Sequence, residues 1–386
     1  MAKSTMNKDL PEYILLTGGK NNCGDFLIKH RAKELLKQLR PDRSFQDWDA
    51  WHQITDDDLE VINNSKALVL TGGPAIQTQM YPLVYPLTDN LSKIKVPIIC
   101  FGLGAKPNST ILELGHSHKL SNRTLDLLDR INQSGHISSV RDYVTARLLE
   151  KYGFYNFTTT GCPALYSLTN QSNQTTPDIR RITFSTSANF AHDKNLESQM
   201  KRIILSLSEI AGTTLNVAFH HSLDSTYLNT HNANSKLFYK QRELKEWLDR
   251  INVPCIDISG SVDNMLDLYS QTDIHVGYRV HAHILMCSWA KDSILIAEDG
   301  RSTALKEVIS SEILNAYEYK HFSISKKLER LTGSFITLRK VSSMVPERIC
   351  KTVKQIIDKN HHESKRVSAL INTQLNVMKD FIRQMP

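Results

Sequence analysis

Short apolar runs that end in glycine-rich turns recur along the first hundred residues. Tyr13 to Leu16 runs into Thr17-Gly18-Gly19, Ala67 to Leu70 into Thr71-Gly72-Gly73-Pro74, and Pro97 to Phe101 into Gly102-Leu103-Gly104. Each run is too short for a typical helix, and its unbroken apolar character suits a central parallel strand covered on both faces. Amphipathic stretches such as Leu27 to Leu39 and Thr124 to Ile131 lie between them. Strands alternating with helices predict βαβ units and a doubly wound sheet.

A polar stretch without apolar spacing, Thr169 to Pro177, reads as a linker. The alternation then restarts: strands at Arg181 to Ser185, Leu215 to Phe219, Cys255 to Ile258, Ile274 to Val276 and Ser293 to Ala297. Helices are expected near Leu196 to Ala211, Gln241 to Ile251, Val262 to Ser270 and His281 to Trp289. From about Pro346 onward the spacing of Ile349, Val353, Ile356 and Ile357 is helical. The expected organisation is therefore a Rossmann-like domain over residues 1–168, a second over 178–340, and a helical extension over 341–386. Two such halves enclose a cleft, and open α/β sheets bind ligands beyond the carboxyl ends of their strands.

Composition narrows this picture only a little. With 386 residues, 40% apolar and 23% charged, the chain is too long for one core and too apolar for wholesale disorder. Its formal charge of +7 is spread along the sequence, apart from a basic bias near the end that includes Lys351, Lys354, Lys359, Lys365 and Arg366. That bias leaves peripheral contact with an anionic membrane open, but it is too diffuse to imply nucleic acid. No apolar run approaches the ~20 residues of a membrane span, and the first residues lack a secretory signal. The six cysteines form no CxxC pair and read as free thiols. A soluble cytoplasmic protein is expected, its oligomeric state open.

Chemistry is sought in the turns. Asn22, Gly24 and Asp25 precede a helix, where free N–H groups favour an anion, although Asp25 also suits a plain helix cap. Gly72, Gly73, Gly102 and Gly104 mark the same cleft edge without identifying a ligand. Arg141, in Ser139-Val140-Arg141-Asp142, offers a planar fork to a carboxylate or phosphate, or simply a partner to Asp142. The richest segment is Asp273 to Leu285, where a strand ends, Gly277 turns the chain, and Arg279 and His281 stand at a helix start. A guanidinium, an imidazole and a helix N-terminus suit an anionic substrate that needs proton transfer. His283, two residues on, points elsewhere and reads as structural. Glu298, after the next strand, lies at the same edge. His220-His221 is a second candidate, of a kind more often incidental. No GxSxG, HExxH or paired-cysteine metal signature occurs.

The order Asn22 to Asp25, Gly72-Gly73, Gly102 to Gly104, Ser139 to Asp142, Gly161 to Leu165 and Asp273 to Leu285 resembles the polysaccharide pyruvyl transferase family over about two-thirds of the chain. The resemblance implies a fold like the GT-B glycosyltransferases, with two Rossmann-like domains facing each other. It implies transfer of the enolpyruvyl unit of phosphoenolpyruvate onto two hydroxyls of a sugar in a surface-polysaccharide precursor, lipid-linked or not, as a cyclic ketal, with phosphate released. Phosphoenolpyruvate is then the donor substrate, and no cofactor or metal is formally required. Arg279 would hold the donor's phosphate or carboxylate, His281 would act as general acid or base, and Arg141 would be a second anion contact. Asn22, Gly24 and Asp25 would contribute from the opposite domain, and Gly72, Gly73, Gly102, Gly104 and Glu298 would line the cleft. The chain departs from the family at Cys162, commonly acidic, at Ala290-Lys291-Asp292-Ser293, and at Glu298-Asp299-Gly300-Arg301. A GT-B glycosyltransferase using a nucleotide sugar and a non-catalytic glycan-binding relative are the alternatives.

Overall fold

The computed structural model describes residues 12–19, 22–106, 119–168, 181–226, 228, 234–322, 336–359 and 362–386; the linker expected at Thr169 to Pro177 lies outside them. The amino half holds four parallel strands in the order β2-β1-β3-β4: β1 (Glu12–Thr17), β2 (Ser44–Asp49), β3 (Ala67–Thr71) and β4 (Ile98–Phe101). A further parallel pair, β5 (Ser138–Val140) and β6 (Phe157–Thr159), is tied to the end of β4 by a bridge between Leu103 and Val140. Among the described residues four α-helices accompany these strands: α1 (Cys23–Leu39), α2 (Asp56–Asn63), α3 (Asn122–Asn132) and α4 (Tyr143–Lys151).

The unbroken apolar runs are explained by burial on two sides. Tyr13, Leu15, Val69, Ile99 and Phe101 pack with Leu27, Leu35 and Leu36 of α1. The alternate residues, Ile14, Leu16, Leu68, Leu70, Ile98 and Cys100, pack with Leu127, Leu128 and Ile131 of α3. Strand β2 escapes an apolar search because it is an edge strand, half-buried along its length, with the sequence Ser-Phe-Gln-Asp-Trp-Asp.

The carboxy half holds six parallel strands in the order β12-β11-β10-β7-β8-β9. They are β7 (Arg181–Ser185), β8 (Thr214–Phe219), β9 (Cys255–Asp257), β10 (Ile274–Gly277), β11 (Asp292–Ala297) and β12 (Ile313–Asn315). Helices α5 (Lys194–Ser208), α6 (Ser235–Arg250), α7 (Val262–Ser270), α8 (Val280–Ser288) and α9 (Gly300–Ile309) connect them. Helix α6 begins six residues before the expected Gln241, because Asn234 caps it by accepting the Leu237 N–H at 3.1 Å. One face of this sheet is apolar: Ile182, Phe184, Val217, Ile274, Val276 and Ile294 meet α5, α6 and the later helix α10 (Val345–Lys359). The opposite face carries Thr183, Ser185 and His275, all buried.

An antiparallel hairpin of β13 (Tyr317–Phe322) and β14 (Ile336–Val341), which the apolar pattern does not announce, precedes α10. The last helix, α11 (His362–Arg383), packs back against the amino half: Phe381 meets Phe101 with ring centroids 5.8 Å apart. Buried Arg40 clamps its end, donating to the carbonyls of Met385 at 2.5 Å, Pro386 at 3.3 Å and Ile382 at 3.5 Å. We expect Arg40→Ala to cost about 1.5–3 kcal/mol, the value of hydrogen bonds to a charged group, in denaturant-unfolding measurements. A loss below about 0.5 kcal/mol would mean that apolar contacts alone hold the helix end. Among the described residues no helix is long and apolar enough to cross a membrane.

Candidate active site

The carboxyl end of β1 leads into α1. Asn22 stands at the N-cap, and its Oδ1 accepts the Gly24 N–H at 3.3 Å. The cap is therefore Asn22, and the capping role open to Asp25 is not the one it plays. Asp25 sits in the first turn, where a short carboxylate favours the helix dipole, with its Oδ2 3.4 Å from the Asn22 Nδ2. Burial pushes the Asp25 carboxyl up, opposed by Arg301, Asn22 and Arg279. Gly24 is required by close approach, since a Cβ there would lie 2.2 Å from His281 Nδ1. The start of α1 and the start of α8 are thus in contact through a glycine and an imidazole.

Strand β10 ends at Gly277, where φ is +152° and a Cβ would lie 2.4 Å from the carbonyl oxygen of Ser185. This close passage carries the chain into Arg279, whose backbone N–H donates to Ser185 Oγ at 3.2 Å. The Arg279 side chain is buried. Its Nε donates to the Thr186 carbonyl at 2.7 Å and its Nη1 to His221 Nε2 at 3.2 Å, while Nη2 is buried with no hydrogen-bond partner among the described residues. An unsatisfied buried guanidinium nitrogen is costly, so it marks a position where an anion would be stabilised. His221 accepts from a cation and must be neutral; burial and then Arg279 hold it down to about 3. This histidine, half of the second candidate pair in the sequence, is part of the site.

His281 follows on the first turn of α8, half-buried. Burial, then the charges of Arg301, Arg141 and Arg279, hold its imidazole down to about 3, so the ring is neutral. His283 faces the other way, between Ser293 Oγ and Ser311 Oγ, each at 2.7 Å. The two histidines do diverge, as their spacing requires.

Arg141 comes from the amino half. It lies across Gly104, where a Cβ would be 1.9 Å from its Nε, and donates to Asp142 Oδ2 at 3.1 Å and to the Ala105 carbonyl at 2.7 Å. Asp142 is occupied on its other oxygen as the cap of α4, accepting the Thr145 N–H at 2.7 Å. The partnership with Asp142 and a place beside His281 are therefore compatible. Gly104→Ala is expected to dislodge Arg141 and weaken anion binding about tenfold or more, the scale of one charge-assisted contact. Unchanged affinity in a titration would remove Arg141 from the site. Of the other glycines, Gly72 faces Ile28 and Gly102 faces Pro163, while a Cβ at Gly73 would meet nothing within 4 Å.

The turn after β11 completes the cluster. Ser187 Oγ donates to the buried Glu298, whose carboxyl is pushed up by burial and by Asp299. Asp299 caps α9 and holds Arg301, with its Oδ2 2.6 Å from Nη2 and 2.9 Å from Nε. Arg301 is a site cation that a search for the acidic turn alone passes over; the signal was an arginine two residues after the cap. Among the described residues no group of three His, Cys, Asp or Glu side chains is placed to hold a metal.

The structure thus brings Arg279, His281, Arg141, Gly24, Asp25 and Glu298 to one place, with the segment from Asn22 to Leu285 running through it. The family model of polysaccharide pyruvyl transferases matches residues 22–285. The chain belongs to that family. No curated protein matches it in sequence. Among solved structures it is similar to S. aureus MnaA in complex with UDP, with a TM-score of 0.51 and 11% identity over 98% of this chain and 99% of that one. It is likewise similar to UDP-GlcNAc 2-epimerase from Neisseria meningitidis bound to UDP-GlcNAc, with a TM-score of 0.51 and 10% identity over 96% of this chain and 100% of that one. At such identities the likeness is one of fold: this polysaccharide pyruvyl transferase family member has the GT-B arrangement of two parallel α/β halves.

Proposed function

We propose that this protein transfers the pyruvyl group of phosphoenolpyruvate onto two hydroxyls of a saccharide as a cyclic ketal. The observation that supports the reading most is the convergence of Arg141, Arg279 and Arg301 on one neutral imidazole, His281. A donor carrying both a carboxylate and a phosphate needs several cations, and a planar guanidinium binds either group through two parallel bonds. The unpartnered Nη2 of Arg279 gives one such contact a specific place.

The chemistry follows from charge. Protonation of the donor's methylene carbon makes C2 electron-poor. A first hydroxyl adds to C2 and loses its proton; a second then displaces phosphate, closing the ketal. One proton is gained at carbon, two leave the hydroxyls, and the phosphate departs with one of them. His281, unprotonated in the free protein, is suited to take a hydroxyl proton. Asp25 and Glu298, whose carboxyls are pushed up, are suited to keep one.

Calorimetric titration with phosphoenolpyruvate, and separately with UDP- and GDP-sugars, tests the reading. Saturable phosphoenolpyruvate binding that weakens about a hundredfold or more in Arg279→Ala is expected, since truncation breaks a buried charge contact. Binding of a nucleotide sugar without phosphoenolpyruvate would overturn it in favour of glycosyl transfer.

A further inference from the structure

The three arginines of the site are held in different ways. Arg301 is paired with Asp299 at 2.6 Å, and Arg141 with Asp142 at 3.1 Å. Among the described residues Arg279 has no such partner. Its side chain donates to the Thr186 carbonyl at 2.7 Å and to His221 Nε2 at 3.2 Å, both uncharged acceptors. Glu298 and Asp25 act on it only through space, and burial pushes both of those carboxyls up. A carboxylate partner neutralises a guanidinium as it orients it, whereas a neutral acceptor orients it and leaves the charge in place. Arg279 is thus the buried site cation whose charge no paired carboxylate cancels.

His221 is itself fixed from several sides. Strand β8 ends at Phe219, just beyond the pairing of Ala218 with Ser185 of β7. The His221 carbonyl accepts from the buried Gln241 Nε2 of α6 at 2.9 Å, and the Leu223 N–H donates to Asp257 Oδ2 at 2.7 Å. One residue before, the buried His220 ring lies between Cys23 Sγ of α1 at 3.1 Å and the Tyr269 hydroxyl of α7 at 2.8 Å. His220 therefore ties the strand end to the amino half, and His221 reaches Arg279. Accepting from a cation requires a bare Nε2, so the His221 proton is on Nδ1. The Thr186 carbonyl occupies the Nε edge of the guanidinium, and His221 takes one hydrogen of Nη1. The edge left for a two-point contact runs from Nη1 to Nη2, the buried nitrogen without a hydrogen-bond partner among the described residues.

We propose that His221 is the positioning residue of this anion site, a neutral acceptor that aims the open edge of Arg279 at a carboxylate or phosphate and leaves the whole guanidinium charge to it. Burial and then Arg279 hold the imidazole down to about 3, so the ring stays an acceptor throughout the neutral range. The arrangement sets a charge requirement at position 221. Gln there would offer a neutral amide oxygen, Glu an acceptor that cancels the cation, and Leu no acceptor at all. That the ligand is phosphoenolpyruvate rests on the reading above; the hold of His221 on Arg279 does not.

Gln and Glu have the same shape and differ in charge, which makes them the decisive pair. In calorimetric titration with phosphoenolpyruvate, His221→Leu should weaken binding about tenfold or more, the scale of one hydrogen bond to a charged group. His221→Gln should return the affinity to within about threefold of wild type. His221→Glu should lose about a hundredfold or more, because its carboxylate occupies the guanidinium that the donor needs. Wild-type affinity in His221→Leu, or equal affinities in the Gln and Glu variants, would overturn the proposal. Ring-nitrogen NMR of the ¹⁵N-histidine-labelled protein without ligand checks the arrangement directly, the His221 signals being those missing from His221→Gln. At pH 7.5 Nδ1 should carry the proton and Nε2 none, and Arg279→Ala should release the ring to exchange between its tautomers. A protonated Nε2 in the wild-type protein would overturn the proposal whatever the affinities. If the wild-type protein binds no phosphoenolpyruvate, the transfer reading fails, and the ring spectrum still decides whether His221 holds Arg279.

Discussion

His281→Ala should lower phosphate release from phosphoenolpyruvate by about 10²–10⁴-fold, the usual contribution of a positioned acid–base group, while donor affinity changes little. The separation of the two effects follows from the geometry. Among the described residues His281 makes no ion pair; on the proposed reading the arginines that act on it supply the attraction for the donor. Burial first, and then the charges of Arg301, Arg141 and Arg279, hold the ring unprotonated. A bound anion offsets those cations, so the imidazole's affinity for a proton rises when a substrate proton is there to be taken. The measurement is phosphate release under saturating donor beside calorimetric affinity. Loss of binding and turnover together would make His281 a donor-holding residue, and unchanged turnover would exclude it from the chemistry. Gly24→Ala supplies an internal check, because its Cβ would fall on His281 Nδ1 and should reproduce the turnover loss without removing the imidazole.

Acid should destabilise this protein well before carboxylates in general titrate. His220, His275 and His283 are fully buried and held neutral, the last down to about 3. In the unfolded chain each binds a proton below about 6.5. Between that value and the depressed folded one, the unfolded state carries more protons, so stability falls as pH falls, by up to roughly 1.4 kcal/mol per pH unit for each ring. Above about 6.5 the contribution is complete and constant. Asp25 and Glu298 act in the opposite sense, because their raised carboxyls take up protons in the folded state first. With His221 and His281 also held down to about 3, five rings against two carboxyls leave a net loss of stability as pH falls below about 6.5. Thermal unfolding at pH 7.5, 6.5 and 5.5 should show a flat interval and then a steep fall. Equal midpoints at all three would mean that the rings are already charged in the folded protein.

Strand position was legible in the chain wherever burial on both faces wrote an unbroken apolar run, as at Tyr13 to Leu16 and Ala67 to Leu70. It was not legible at β2 or at the hairpin of β13 and β14, where an edge or a single covered face leaves polar residues in place. The segment around Arg279 and His281 stood out because a strand end, a glycine and a helix start are all local signals. His221 stood only as half of a second candidate pair and Arg301 only at the end of the acidic turn, because their membership depends on which strand lies beside which: β8 and β11 flank β7 and β10, and that order is written in no local spacing.

The sequence by itself determined the alternation of strands and helices, the turns at which chemistry was to be sought, and the family pattern from Asn22 to Leu285. Local periodicity and backbone freedom carry that information, since each acts within a few residues. Only the tertiary structure decided that Gly24 is a seat for His281, that three arginines from both halves of the chain act on one ring, and that Ser293 joins His275 to His283 on the buried polar sheet face. Those are matters of close approach between segments far apart in the chain, and packing fixes them through distances that no pattern of residue types records.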